Sequence, residues 1–206
     1  MSGRRAGNPN RCPECKVNSL YCVCSLISPL EISSHISLIV HVRELKLTSN
    51  TAQFVQKLLP QNSHIEIRGR VNENFSPTSI MQKEGRPIFL YPHDDAVELN
   101  DDFIQKFPGP YNLIVPDGNW HQARRVKRRE VQFENVMAVK LPPGIRTEYG
   151  LRRAPQPEWV STFEAVAHAL GILENNLLVR DHMMEFFRKW VHVTQILRLG
   201  GHEPKE

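Results

Sequence analysis

Short apolar runs rich in β-branched residues alternate with helical stripes along this chain. Residues 35–40 (HISLIV) read as a strand buried on both faces, and 65–67, 88–91, 113–115 and 136–141 repeat the signal. Helical periodicity appears between them. Asn50 with Gln53 three positions on forms a capping box, Phe54, Val55, Leu58 and Leu59 make one apolar face, and Pro60 ends it. Ser161-Thr162-Phe163-Glu164 is a second box, opening a helix that turns Phe163, Val166, Ala167 and Leu170 to one side. A last helix over about 181–199 buries Met184, Phe187, Trp190 or Val191, and Thr194. The polar stretch 69–87 has no clear period and reads as a lid or a surface insertion. The alternation predicts an α/β fold, a mainly parallel sheet with helices on both faces, whose ligands bind beyond the carboxyl ends of the strands.

Length changes this picture little. A chain of 206 residues, 40% hydrophobic and 23% charged, suits one domain with a proper core. The expected division is a basic tail with a cysteine segment over 1–30, the α/β domain over 31–199 and a polar tail over 200–206. No run of about 18 uncharged apolar residues spans a membrane. The opening MSGRRAGNPN has no apolar segment behind it, so a cytoplasmic location is expected. Net charge is only +4, yet Arg124, Arg125, Lys127, Arg128 and Arg129 fill five of six consecutive positions. Such a cluster attracts nucleic-acid phosphates or forms a solvated helix face.

All four cysteines, Cys12, Cys15, Cys22 and Cys24, fall in one short segment as C-x2-C and C-x-C. In a reducing compartment this grouping favours a closed structural metal site, zinc before an iron–sulfur cluster, over unrelated thiols. The segment is poor in apolar residues, so a metal would supply its order.

Chemistry centres on Pro116-Asp117-Gly118-Asn119-Trp120. Pro116 is expected to stop a strand, Gly118 to permit a turn, and Asn119 to cap the helix carrying the arginines. That places the Asp117 carboxylate at the sheet rim, as a proton acceptor or as a simple turn former. The chain lacks G-x-G-x-x-G after a strand, the P-loop, G-x-S-x-G and H-E-x-x-H. Those absences argue against dinucleotide oxidoreductases, P-loop enzymes, α/β-hydrolases and zinc proteases.

The order of motifs resembles the DTW-domain family of tRNA-uridine aminocarboxypropyltransferases. The cysteine cluster comes first, then His41-Val42-Arg43-Glu44, Asn50-Thr51 and Tyr91-Pro92. Asp117-Gly118-Asn119-Trp120, Tyr149-Gly150-Leu151-Arg152 and Ser161-Thr162-Phe163-Glu164-Ala165 follow. Two positions depart from the family pattern: Asn119 replaces a hydroxyl residue, and Val42 replaces a proline. The resemblance implies S-adenosylmethionine as co-substrate and transfer of its 3-amino-3-carboxypropyl group to N3 of a tRNA uridine, leaving methylthioadenosine. It implies a fold related to the SPOUT methyltransferases, in which a C-terminal knot is possible, although general topology rules weigh against knots. It assigns catalysis to Asp117, Trp120 and Arg152, with Arg152 or Arg153 gripping the carboxylate of the moving group. Cofactor contacts fall to Tyr91, Pro92, Pro116, Asp117, Gly118, Leu141, Ser161, Thr162 and Glu164, with Pro142 beside them. Tyr149–Arg153 also reads as a basic surface turn, and Glu164 as a plain helix cap. RNA contacts fall to Arg124, Arg125, Lys127, Arg128, Arg129 and Arg153. The rival readings are an RNA methyltransferase using the same donor and a non-catalytic tRNA-binding module.

Overall fold

The structure is a computed structural model that describes residues 10–71, 75–92, 95–117, 120–151 and 156–200, without the side chains of 120–124. Six parallel strands form its sheet: β1 (His35–His41), β2 (Ser63–Arg68), β3 (Arg86–Leu90), β4 (Val97–Glu98), β5 (Tyr111–Asp117) and β6 (Met137–Lys140). Their spatial order is β2-β1-β5-β3-β6-β4, and each adjacent pair is parallel. Six α-helices connect or flank them: α1 (Ala52–Leu58), α2 (Thr78–Met81), α3 (Asp101–Lys106), α4 (Trp120–Arg129), α5 (Thr162–Leu173) and α6 (Leu177–Arg198).

Successive strand side chains point to opposite faces. Ile36, Leu38, Val40, Leu113 and Val115 therefore enter the larger core with α1, α3, α5 and α6, where Phe54, Phe163, Phe187 and Trp190 are fully buried. Ile39, Phe89 and Ile114 enter a smaller core with Ile80 of α2, Val126 of α4 and Phe133. Both faces are covered, as the continuous apolar runs require. Cys15, Val17 and Val23 join the larger core, so the cysteine segment packs on the sheet domain. No described helix is long and apolar enough to cross a membrane.

Three local expectations need correcting. Pro116 does not stop β5, which continues to Asp117. Pairing of β5 with β3 ends at Ile114, whereas pairing with β1 runs on through Pro116 and Asp117. Pro116 thus lies where β5 is paired on one side only, the setting in which a strand tolerates proline. α6 starts at Leu177, capped by Asn176, rather than near 181. Its first turn exposes Leu177 and Leu178, so the apolar stripe begins later than the helix. The Asn50 box is only half formed: Asn50 Oδ1 accepts the Gln53 N–H at 3.2 Å, but Gln53 Nε2 donates to the Asn50 carbonyl. By contrast, the Ser161–Glu164 box is complete. Within 69–87, α2 supplies the buried Ile80, so part of that polar stretch is packed.

At the amino ends of β1 and β2, His35 Nε2 and His64 Nδ1 lie 2.9 Å apart. Burial, with Lys83 and His35 adding to it, holds His64 down to about 4; burial also lowers His35. A histidine depressed on folding contributes stability that is present above its unfolded pKa of about 6.5 and lost as pH falls towards the folded value. Urea unfolding between pH 7 and pH 5 should therefore show a loss of about 1–2 kcal/mol. The loss should shrink in His64→Gln; an equal loss in that variant would assign it to other groups.

Candidate active site

Beyond Ile114 the ends of β3 and β5 are no longer paired, and a cavity of about 320 Å³ opens there. Tyr91, Pro92 and Pro116 line it, together with Leu141 and Pro142 from the turn after β6. The sequence places these residues at strand ends, and the fold brings them to one wall. Trp159, Val160 and Thr162 close it from the approach to α5. The walls are mainly apolar, and among the described residues the charged ones in the lining are Lys140 and Glu158. Sequence reading missed Lys140, Glu158 and Trp159. The available signal was the Pro- and Gly-rich sequence from 141 to 145 and the approach to the Ser161 cap.

Asp117, the last residue of β5, is not part of the cavity wall; it borders a small crevice with Ile39, His41, Arg68 and Val126. Its Oδ1 accepts from the Thr162 hydroxyl at 2.5 Å and its Oδ2 from Asn50 Nδ2 at 3.0 Å. Asn50 leads into α1 and Thr162 opens α5, so one carboxylate ties together the N-termini of two helices. Thr51 Oγ1 also accepts from the Phe163 N–H at 3.3 Å, which closes the same junction. Thr162 lines the cavity while donating to Asp117, so its hydroxyl links carboxylate and cavity.

Glu164 is fully buried. Its carboxylate accepts from the N–H groups of Ser161 and Glu148, each at 2.6 Å, and from the Thr147 hydroxyl at 2.9 Å. It does not line the cavity; it fastens the 147–149 turn to α5. From that turn, the Tyr149 hydroxyl donates to the Ser49 carbonyl at 2.5 Å, and the Tyr149 ring packs against Phe187 and Trp190. Residues 147–149 are therefore anchored. Ser161 serves as the N-cap.

On α4, Arg125, Arg128 and Arg129 are exposed. Lys127 departs from the expected phosphate-facing set. Its ammonium turns inward to the carbonyls of Phe133 (2.9 Å) and Val136 (2.8 Å), lies over the Phe89 ring and has its pKa lowered by burial. Carbonyls at the end of a helical turn can take further donors, and Lys127 adds one to the Phe133 carbonyl, which also accepts the Val136 N–H at 3.2 Å. Gly118, Asn119, Arg152 and Arg153 lie outside the described residues, as do the side chains of Trp120 and Arg124.

The sulfurs of Cys12, Cys15, Cys22 and Cys24 all lie within 4.8 Å of one another, with Cys12–Cys24 at 3.6 Å and Cys15–Cys22 at 3.8 Å. Four thiolates about 2.3 Å from one tetrahedral ion would stand about 3.8 Å apart, so the set fits a single metal ion. Without an ion the thiols are unequal. Backbone N–H donation, first from Cys15, lowers Cys12 to about 6, while burial pushes Cys15 and Cys24 up. A cation would stabilise all four thiolates. Native mass spectrometry should find one ion per chain, lost with chelator and in Cys15→Ala. Its removal should abolish hydrogen-exchange protection over about 10–27 while leaving the sheet protected; unchanged protection would contradict this.

Three relatives are 26–29% identical to this chain, and each is named tRNA-uridine aminocarboxypropyltransferase 2. The Macaca fascicularis protein is 29% identical over 84% of this chain and 59% of its own length. The Drosophila melanogaster protein is 28% identical over 89% and 76%, and the Mus musculus protein 26% over 84% and 59%. The chain thus spans about three-fifths of the two mammalian relatives. No solved structure matches. The DTW domain matches residues 9–195, from the cysteine segment through most of α6, and the chain belongs to the DTW-domain family.

Proposed function

We propose that this chain transfers the 3-amino-3-carboxypropyl group of S-adenosylmethionine to N3 of a tRNA uridine and releases methylthioadenosine. The observation that carries the reading is the Thr162 hydroxyl, which belongs to a residue lining an apolar cavity at the strand ends and donates to Asp117. It is supported by the relatives' names.

A cavity of about 320 Å³ falls in the range of small-molecule sites. Tyr91, Pro92, Leu141 and Pro142 offer apolar surface for the adenosine. Lys140 and Glu158 offer one charge of each sign for a zwitterionic amino-acid group, and Arg152 is the guanidinium proposed to grip its carboxylate. S-adenosylmethionine brings an electrophilic carbon and a thioether leaving group. The uridine N3 proton passes to Asp117 through the Thr162 hydroxyl, N3 bonds to the carbon next to sulfur, and the carbon–sulfur bond breaks. Holding the reactants in line supplies much of the remaining rate. Arg124, Arg125, Arg128, Arg129 and Arg153 take RNA phosphates, and Trp120 shapes the site beside Asp117. The four cysteines hold zinc as a structural ion, and the enzyme works in the cytoplasm.

The test is a split label. With S-adenosylmethionine labelled in its carboxyl carbon, label should enter tRNA; with the methyl labelled, none should. The reverse pattern would establish a methyltransferase and overturn the proposal.

A further inference from the structure

A second cavity, of about 540 Å³, lies between the cysteine segment, the 47–49 turn and the C-terminal part of α6. Arg11 and Lys16, on either side of Cys12 and Cys15, line it, as do Thr48, Trp190, Thr194 and Arg198. Among the described residues, no carboxylate does. The three cations donate to backbone carbonyls: Arg11 to Lys16 and Arg198 to Leu151, each at 2.5 Å, and Lys16 to Pro13. None of the three belongs to an ion pair among the described residues. Glu14, whose charge Lys16 feels, is paired with Lys57. Carbonyls fix the guanidinium and ammonium groups in place without cancelling their charge, and a concave wall focuses that field. Trp190 is fully buried, and its Nε1 donor has no partner among the described residues. Three positioned cations, with no acid among the described lining residues, suit an anionic ligand.

We infer that this cavity is a second tRNA-docking subsite that receives a backbone phosphate, with Arg11, Lys16 and Arg198 as its counter-charges. The inference rests on tRNA being the substrate, as proposed above. On this reading the metal-ordered segment holds two of the three cations against α6. Charge neutralisation by a few fixed cations is the sequence-independent part of nucleic-acid binding, and its mark is salt dependence.

Binding of unmodified tRNA to the full chain, measured by filter retention across salt concentrations, tests this. Arg11→Gln combined with Arg198→Gln should weaken binding at least about tenfold and flatten the slope of log affinity against log salt by about 0.7–0.9, the share of one neutralised phosphate. Arg198 also holds the Leu151 carbonyl, so a second variant guards against misfolding. Thr48→Glu puts a carboxylate into the wall while keeping the three cation–carbonyl bonds, and should weaken binding by a similar factor. If Thr48→Glu and the folded double variant bind within twofold of wild type with the same slope, the subsite is wrong. Modification by the wild-type chain separates the two claims. Normal modification with unchanged binding in the variants sinks the subsite alone. Weakened binding in the variants with no modified uridine from wild type sinks the reaction and leaves the subsite standing.

Discussion

Asp117→Asn should reduce aminocarboxypropyl transfer about a thousandfold, within the range set by loss of a positioned general base, while the chain stays folded. The side chain keeps its size, and the Asn50 amide can turn to accept from the new NH2 at the cost of its bond from the Gln53 N–H. The Thr162 hydroxyl can still donate to the amide oxygen, so the junction of α1 and α5 persists. An amide cannot take the uridine proton at neutral pH. Thr162→Val should fall in the same direction, because it removes the hydroxyl that links the carboxylate to the cavity. Single-turnover rates at saturating S-adenosylmethionine, with urea unfolding as the fold control, read the effect. A drop of less than tenfold in a folded Asp117→Asn chain would make Asp117 a turn former, the reading its Asp-Gly context also allows.

Glu164→Ala should destabilise the chain by about 3 kcal/mol. Removing the carboxylate leaves the N–H groups of Ser161 and Glu148 and the Thr147 hydroxyl without their acceptor. Each such orphan costs about 1–3 kcal/mol, offset by the buried charge that no longer has to be desolvated. Glu164→Gln should cost less, because its amide oxygen still serves one donor while its NH2 opposes another. The 147–149 turn should loosen first, with Tyr149 losing its bond to Ser49. A higher KM for S-adenosylmethionine would accompany that loosening through the neighbouring loop. Urea midpoints within 1 kcal/mol of wild type for Glu164→Ala would contradict the fastening role.

The strands legible in sequence were those with a physical reason to be apolar throughout. β1 and β5 are central and covered on both faces, so HISLIV and the run ending in Pro116 needed no alternation to be found. β4 is two residues long, and α3 buries little besides Phe103, too little for a period to show. The cysteine cluster was legible because metal ligation fixes residue type and spacing together. Asp117 was legible from its place at a strand end. Its partners Asn50 and Thr162 are 67 and 45 residues away, and only the sheet order brings them together. Lys127 misled for the opposite reason: a charge run gives no sign of which cation turns inward to cap carbonyls.

Transfer itself is tested most directly by incubating the purified chain with unmodified tRNA and S-adenosylmethionine, then digesting the RNA for nucleoside mass spectrometry. The prediction is a uridine heavier by one aminocarboxypropyl group, matched mole for mole by methylthioadenosine and missing with Asp117→Asn. A methylated nucleoside with S-adenosylhomocysteine, or no new nucleoside from a complete tRNA pool, would contradict it.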